Sequence, residues 1–337
     1  MTQMYIRSGM LAVMVAVAVA TGHAQRGQSS GPQPYEVGNP VGLPITPAAD
    51  GRFNPVSANV KVYGSVYSAE SCSYDPDRGV IVIPNRGVPP NIQVNNAWIT
   101  LMNHDGSVHT SRWIGVQNAG AQRDVMTPPL KLNEPYGSDI INGILYVADR
   151  DGDTGPNDPV VSVVRRFSMK TGMPMPDIVV SGASWFNDIE VAADGTVYGT
   201  IPGSNQVWRV LPDGQASIFV QGAPLNRPNG VAFDTDGSIV VVNTNSDAVF
   251  TFSRDGALIR TEHAAQSGSD GIVVMDDGTK YVSSVGNGGV SRIRPGRPAE
   301  LIAENIPSAA SMCYDAGARQ LVIPMIANNA IALVKLD

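Results

Sequence analysis

Glu70, Asn187, Asn229 and Asp270 carry side-chain oxygens, and each begins a similar stretch of sequence. The stretches from the last three read NDIEVAADG, NGVAFDTDG and DGIVVMDDG, each followed by an alternating apolar run (TVYGT, SIVVVN, TKYVSS). Asp-Gly between alternating runs is a strong hairpin signal, because glycine takes the positive φ that such turns need. Looser copies begin at Glu70 (ESCSYDPDRG, then VIVIPN), Tyr136 (YGSDIING, then ILYVAD) and Ala310 (ASMCYDAG, then QLVIPM). Placed around one axis, these six starts would bring two carboxylates and two carboxamides to one point. Hard oxygen donors of this kind suit Ca²⁺ or Mg²⁺ better than a soft metal. The plain alternative is that these Asn and Asp residues only cap strands and turns, as they often do.

The elements that must position them follow from the spacing. The starts at Asn187, Asn229, Asp270 and Ala310 are 42, 41 and 40 residues apart, which is the period of a propeller blade. The earlier steps, 66 and 51 residues, are lengthened by loops around 84–95, 115–129 and 149–159. The last copy has only three strands in sequence, while residues 59–68 (NVKVYGSVYS) alternate without a partner nearby. Supplying the outer strand of the last blade would close the ring and remove its edges. The expectation is an all-β, six-bladed β-propeller over residues 58–337, closed by this N-terminal strand.

Composition agrees. Of 337 residues, 43% are hydrophobic and 16% charged, with 35 glycines and 25 prolines, as many short strands and tight turns require. Net charge is −7 and the Lys and Arg residues are scattered, so no basic stripe speaks for nucleic acid. Arg7, the apolar run 10–20 and Gly22-His23-Ala24 have the form of a signal peptide over 1–24, cleaved before Gln25. An uncleaved anchor is the alternative, although an 11-residue run is short for a span. Residues 25–57, rich in Gly, Pro, Ser and Gln, read as a flexible lead-in. The expected product is exported, periplasmic or secreted, without membrane insertion after cleavage.

Cys72 and Cys313 are the two cysteines. Aligning Tyr74-Asp75 with Tyr314-Asp315 matches Cys72 to Met312 and Cys313 to Ser73. Adjacent strand residues face opposite ways, so the sulfurs are expected on opposite faces of neighbouring blades, as two free buried thiols.

With Glu70 opening the first inner strand, Phe186-Asn187-Asp188, Pro228-Asn229-Gly230 and Ser269-Asp270-Gly271 in order at blade spacing, the chain resembles the regucalcin–gluconolactonase family from Asn59 to Asp337. The resemblance implies one divalent cation, most simply Ca²⁺ with Mg²⁺, Mn²⁺ or Zn²⁺ as alternatives, held by Glu70, Asn229 and Asp270 with Asn187 beside it. It also implies hydrolysis of lactones or related esters, with Asp270 as general base and Asn187 touching cation, water or substrate. Family enzymes acting on sugar lactones carry arginine two residues before the Asn of the third motif. Here that residue is Trp185, which can stack on a ring but cannot clamp a polyhydroxylated acid. With Tyr136 and Phe186 on the same wall, the expected small-molecule substrate is less polar than a sugar lactone.

Other motifs carry less. Asp149, Asp151 and Asp153 alternate like a calcium loop but lack the Gly and Glu of an EF-hand, so a solvated insertion is expected, with a second cation site as the alternative. His104 is expected exposed in a hairpin turn. No GxSxG elbow or Cys–His pair supports nucleophilic hydrolysis. A ligand- or protein-binding propeller with a structural cation remains the rival, and a lyase or isomerase using the same site the third reading.

Overall fold

The computed structural model describes residues 56–337 except positions 65, 88, 89, 91, 93, 118 and 119. The expected signal segment and nearly all of the lead-in lie outside the described residues.

Strand β1 (Val60–Tyr63) precedes the first blade, formed by β2 (Ser73–Asp75), β3 (Val80–Asn85), β4 (Trp98–Met102) and β5 (Val108–Ile114). A short helix, α1 (Gly120–Asp124), lies in the insertion before the second blade: β6 (Ser138–Ile141), β7 (Ile144–Asp151), β8 (Val161–Ser168) and β9 (Pro174–Val180). The third blade is β10 (Ile189–Val191), β11 (Val197–Ile201), β12 (Gln206–Val210) and β13 (Ala216–Gln221). The fourth is β14 (Pro228–Phe233), β15 (Ile239–Asn243), β16 (Ala248–Phe252) and β17 (Leu258–His263). The fifth is β18 (Ser269–Val274), β19 (Lys280–Ser284), β20 (Val290–Ile293) and β21 (Glu300–Ala303). The sixth takes β22 (Cys313–Asp315), β23 (Gln320–Met325) and β24 (Ala330–Lys335) from the end of the chain and completes itself with β1. β1 runs antiparallel to β24, from Val60 opposite Val334 to Tyr63 opposite Ile331. The ring is closed as the unpaired N-terminal alternation predicts.

Apolar side chains on the two faces of each sheet meet those of the blades on either side. Among the described residues six buried clusters result, one per interface between neighbouring blades. The second strands β3, β11, β15, β19 and β23 are buried throughout, which is why they read as nearly continuous apolar runs. The outermost strands β13 and β17 have no fully buried residue and expose Ile218, Leu258 and Ile259 beside their polar side chains. Among the described residues no helix is long and apolar enough to cross a membrane.

Two expectations need correction here. Cys72 and Cys313 are not free thiols; they form a disulfide between the first and sixth blades, with Cα atoms 5.5 Å apart. The strand alignment itself is sound: Ser73 bonds Ser138 of the second blade at 2.8 Å, and Met312 packs with Tyr281 of the fifth. Cys72 and Cys313 therefore do leave opposite faces of their sheets. In a ring, however, the facing surfaces of two neighbours are opposite faces of equivalent sheets, so side chains of opposite parity are the ones that meet. His104 is also not freely exposed, since its Nδ1 lies 2.7 Å from Oδ1 of the buried Asp315, tying the β4–β5 turn to the sixth blade.

Candidate metal centre

Glycines follow three of the axial residues, Tyr136, Asn229 and Asp270, and set how closely those inner strands approach their neighbours. A Cβ at Gly230 would lie 2.4 Å from the carbonyl oxygen of Asp270, and one at Gly271 would lie 2.6 Å from Ser311 Cα. One at Gly137 would meet Asp188 at 2.5 Å. The Asn-Gly, Asp-Gly and Tyr-Gly pairs are thus packing requirements of the axis. Hydroxyls then fasten alternate blades, the first, third and fifth, to the axial residue of the next. Ser71 Oγ donates to the Tyr136 carbonyl at 2.6 Å, Thr200 Oγ1 to that of Asn229 at 2.6 Å, and Ser283 Oγ to that of Ala310 at 2.8 Å.

On this frame Glu70, Asn187, Asn229 and Asp270 are all buried. Asn229 Nδ2 donates to Asp270 Oδ2 at 3.2 Å. Four of the quartet's oxygens, Glu70 Oε2, Asn187 Oδ1, Asn229 Oδ1 and Asp270 Oδ1, are buried without a hydrogen-bond partner. Leaving a buried acceptor unsatisfied costs about 1–3 kcal/mol each, more when it is charged. Burial, and then the neighbouring charges of Asp270 and Asp188, push the Glu70 carboxyl well above the usual carboxylate range, while Arg86 partly offsets this. Burial and Asp188 do the same to Asp270. Asp188 lies one residue past Asn187, where other copies have Gly or Ser. Burial raises it to about 7, although it accepts hydrogen bonds from the amides of Ile189 (3.0 Å) and Val231 (3.3 Å) and from Ser311 Oγ (3.3 Å). A set of orphaned hard oxygens bearing two carboxylates fits one divalent cation in charge and donor type. Among the described residues no three His, Cys, Asp or Glu side chains form a ligand cluster, since carboxamides make up half of this set.

The expected aromatic wall is there in part. Tyr136 and Trp185 stand edge to face with ring centroids 4.8 Å apart. Phe186 has no exposed surface, because its ring covers Gly199 in the core between the second and third blades. It backs Trp185 and offers a ligand no face.

Sequence reasoning missed the charged partners of this wall. Arg86 stacks 4.4 Å over the Tyr136 ring, Arg150 lies 5.4 Å over Trp185, and both pair with Glu134. Their one signal in the sequence is that Asn85-Arg86 and Asp149-Arg150 stand at the ends of the second strands of adjacent blades. The Asp149–Asp153 motif belongs here too. Asp149 is buried and accepts from the amides of Asn133 (2.9 Å) and Glu134 (2.7 Å) and from Arg165 Nε (2.9 Å). Asp151 and Asp177 pair with the same arginine. Asp149 and Asp151 are therefore structural anchors of β7, in place of the solvated insertion expected there.

No protein-family model matches the chain, and no curated protein does. Solved structures do. A gluconolactonase from Xanthomonas campestris matches with a TM-score of 0.56 and 18% identity, over 90% of this chain and 99% of that one. The chain shares the fold of the gluconolactonase propellers. A putative gluconolactonase matches with a TM-score of 0.55 and 16% identity, over 83% and 93% of the two chains. Streptogramin B lyase matches with a TM-score of 0.58 and 10% identity, over 84% and 98%.

Proposed function

We propose that the protein hydrolyses lactones or related esters with a divalent cation at the channel mouth. The observation that carries this reading is that Glu70, Asn187, Asn229 and Asp270, at equivalent inner-strand starts of their blades, each bury an oxygen with no hydrogen-bond partner. The gluconolactonase neighbours support it at the level of fold; the lyase neighbour is why a lyase is the second chemistry to assay. Glu70, Asn229 and Asp270 would hold the cation, which supplies carbonyl polarisation and acidification of water when bound. Asp270 accepts the proton of the attacking water, its Oδ2 steadied by Asn229. Asn187, with an unpaired buried Oδ1, orients water or substrate. Trp185 stacks on the lactone ring and excludes water from it, held in place by the edge-to-face contact with Tyr136. Export is part of the proposal: the apolar run 10–20 has signal-peptide form, and a disulfide persists in an oxidising compartment.

A panel of aliphatic, sugar and aryl lactones, assayed with Ca²⁺ and then with excess chelator, tests the reading. Turnover of aryl lactones above gluconolactone, abolished reversibly by chelation and lost in Asp270→Asn, is the expected result. A cation-loaded protein that hydrolyses none of them ends it and favours a binding propeller or a lyase.

A further inference from the structure

Two guanidinium groups stand against one carboxylate beside this site. Arg86 pairs with Glu134 Oε1, and Arg150 Nε donates to Glu134 Oε2 at 3.1 Å. The cluster carries one positive charge in excess. It is also largely withdrawn from water: the side chains of Arg86, Arg150 and Glu134 are 16%, 23% and 6% exposed. Excess charge in so desolvated a place is costly unless an anion answers it.

The cluster is rigid. Asp149 holds the Glu134 backbone amide, Tyr136 Oη donates to Glu134 Oε1 at 3.3 Å, and both guanidinium groups lie over aromatic rings. Stacked, bidentate arginines are preorganised for planar carboxylates in a way that lysine is not. Two buried donors on this wall have no acceptor, Arg86 Nε and Trp185 Nε1. They are the converse of the orphaned acceptors of the quartet: those oxygens want a cation, and these N–H groups want an anion. Arg86 belongs to both, since its charge also acts on Glu70.

We propose that Arg86 and Arg150 recognise an ionised carboxylate on the substrate, so that the site takes planar lactones or esters bearing a carboxylate. The proposal rests on the hydrolase reading and adds to the stacked ring a charged group that Trp185 alone would not have suggested. A ligand with one carboxylate restores neutrality in the arginine cluster and supplies acceptors for both orphaned donors.

The test has two arms. In the first, benzoate and benzamide are titrated calorimetrically into Ca²⁺-loaded wild type, Arg86→Gln and Arg150→Gln, with near-ultraviolet circular dichroism confirming that each variant folds. Either variant leaves Glu134 paired with the remaining arginine. Charge-assisted hydrogen bonds should make benzoate bind roughly 10- to 100-fold tighter than benzamide in the wild type. That preference should collapse in both variants, and Arg150→Lys should restore only part of it. Equal binding of the two ligands, or a benzoate preference that survives both substitutions and therefore comes from the cation, overturns the proposal. In the second arm, dihydrocoumarin and a ring-carboxylated dihydrocoumarin are compared by kcat/KM. A carboxylate preference lost in Arg150→Gln supports the proposal. Turnover of both at equal rates overturns it and leaves the hydrolase reading standing. Turnover of neither sinks the hydrolase reading, and the first arm then still decides whether the arginines bind carboxylates.

Discussion

At the scale of single residues, the quartet is defined by what its atoms lack. Buried, unpartnered oxygens on Glu70, Asn187, Asn229 and Asp270 are hard to account for as strand caps, because a cap would have an N–H to accept from. The raised pKa values of Glu70 and Asp270 have a consequence for pH. Without a cation, the folded protein holds protons on these groups at pH values where the unfolded chain, with carboxyls near 4, has released them. Cation-free stability should therefore fall as pH rises from that range through the raised values. Calcium replaces the protons, so its affinity should rise with pH and its binding should release protons. Melting temperatures with chelator and with Ca²⁺ between about pH 5 and pH 8 check this; a cation-free stability flat across the range in wild type and in Asp270→Asn alike would contradict it. Trp185→Ala removes half of an edge-to-face pair and should raise the barrier for the preferred lactone by roughly 1–3 kcal/mol. Steady-state kcat/KM reads that loss directly. An unchanged value would mean the ring does not stack there.

At the scale of elements, Gly230, Gly271 and the Thr200 hydroxyl fix the strands that carry Asn229 and Asp270. Gly230→Ala forces a Cβ against the backbone carbonyl of Asp270, which no rotamer change relieves. It should cost about 1–3 kcal/mol of stability and weaken Ca²⁺ binding together, because the displaced strand carries a ligand. Denaturant unfolding and calorimetry measure both; losing stability with normal affinity would separate the axis from the site. Much of this was legible in the sequence. Repeated Asp-Gly turns between alternating runs located the hairpins, and their spacing set Glu70, Asn187, Asn229 and Asp270 at or just before the starts of inner strands of four blades. The arginine wall was not legible, because Arg86, Glu134 and Arg150 come from separate stretches and are joined only by the fold. Phe186 was misjudged for a related reason: adjacency to Asn187 in sequence says nothing of which way a ring turns, and the bare Gly199 draws it into the core.

At the scale of the whole molecule, ring closure is made twice, by β1 pairing with β24 within the sixth blade and by the Cys72–Cys313 disulfide between the sixth blade and the first. Strand parity, a sound guide within one sheet, misled about the cysteines because a ring brings opposite faces together. The bridge spans 241 residues of sequence, and chain-entropy reasoning gives long closures roughly 2–5 kcal/mol. Thiol titration of the unfolded, unreduced protein should find none free, and Cys72→Ser with Cys313→Ser should lower the melting temperature without opening the propeller. Two titratable thiols would remove the bridge from the account. The central claim concerns the channel mouth, and calorimetric titration of metal-stripped protein with Ca²⁺ tests it most directly. The account predicts one site per chain in the wild type and a fall in affinity of roughly 100-fold or more in both Glu70→Gln and Asp270→Asn, since each removes one of two anionic ligands. Wild-type affinity in both variants, or no binding of Ca²⁺, Mg²⁺, Mn²⁺ or Zn²⁺ by the unaltered protein, would contradict it.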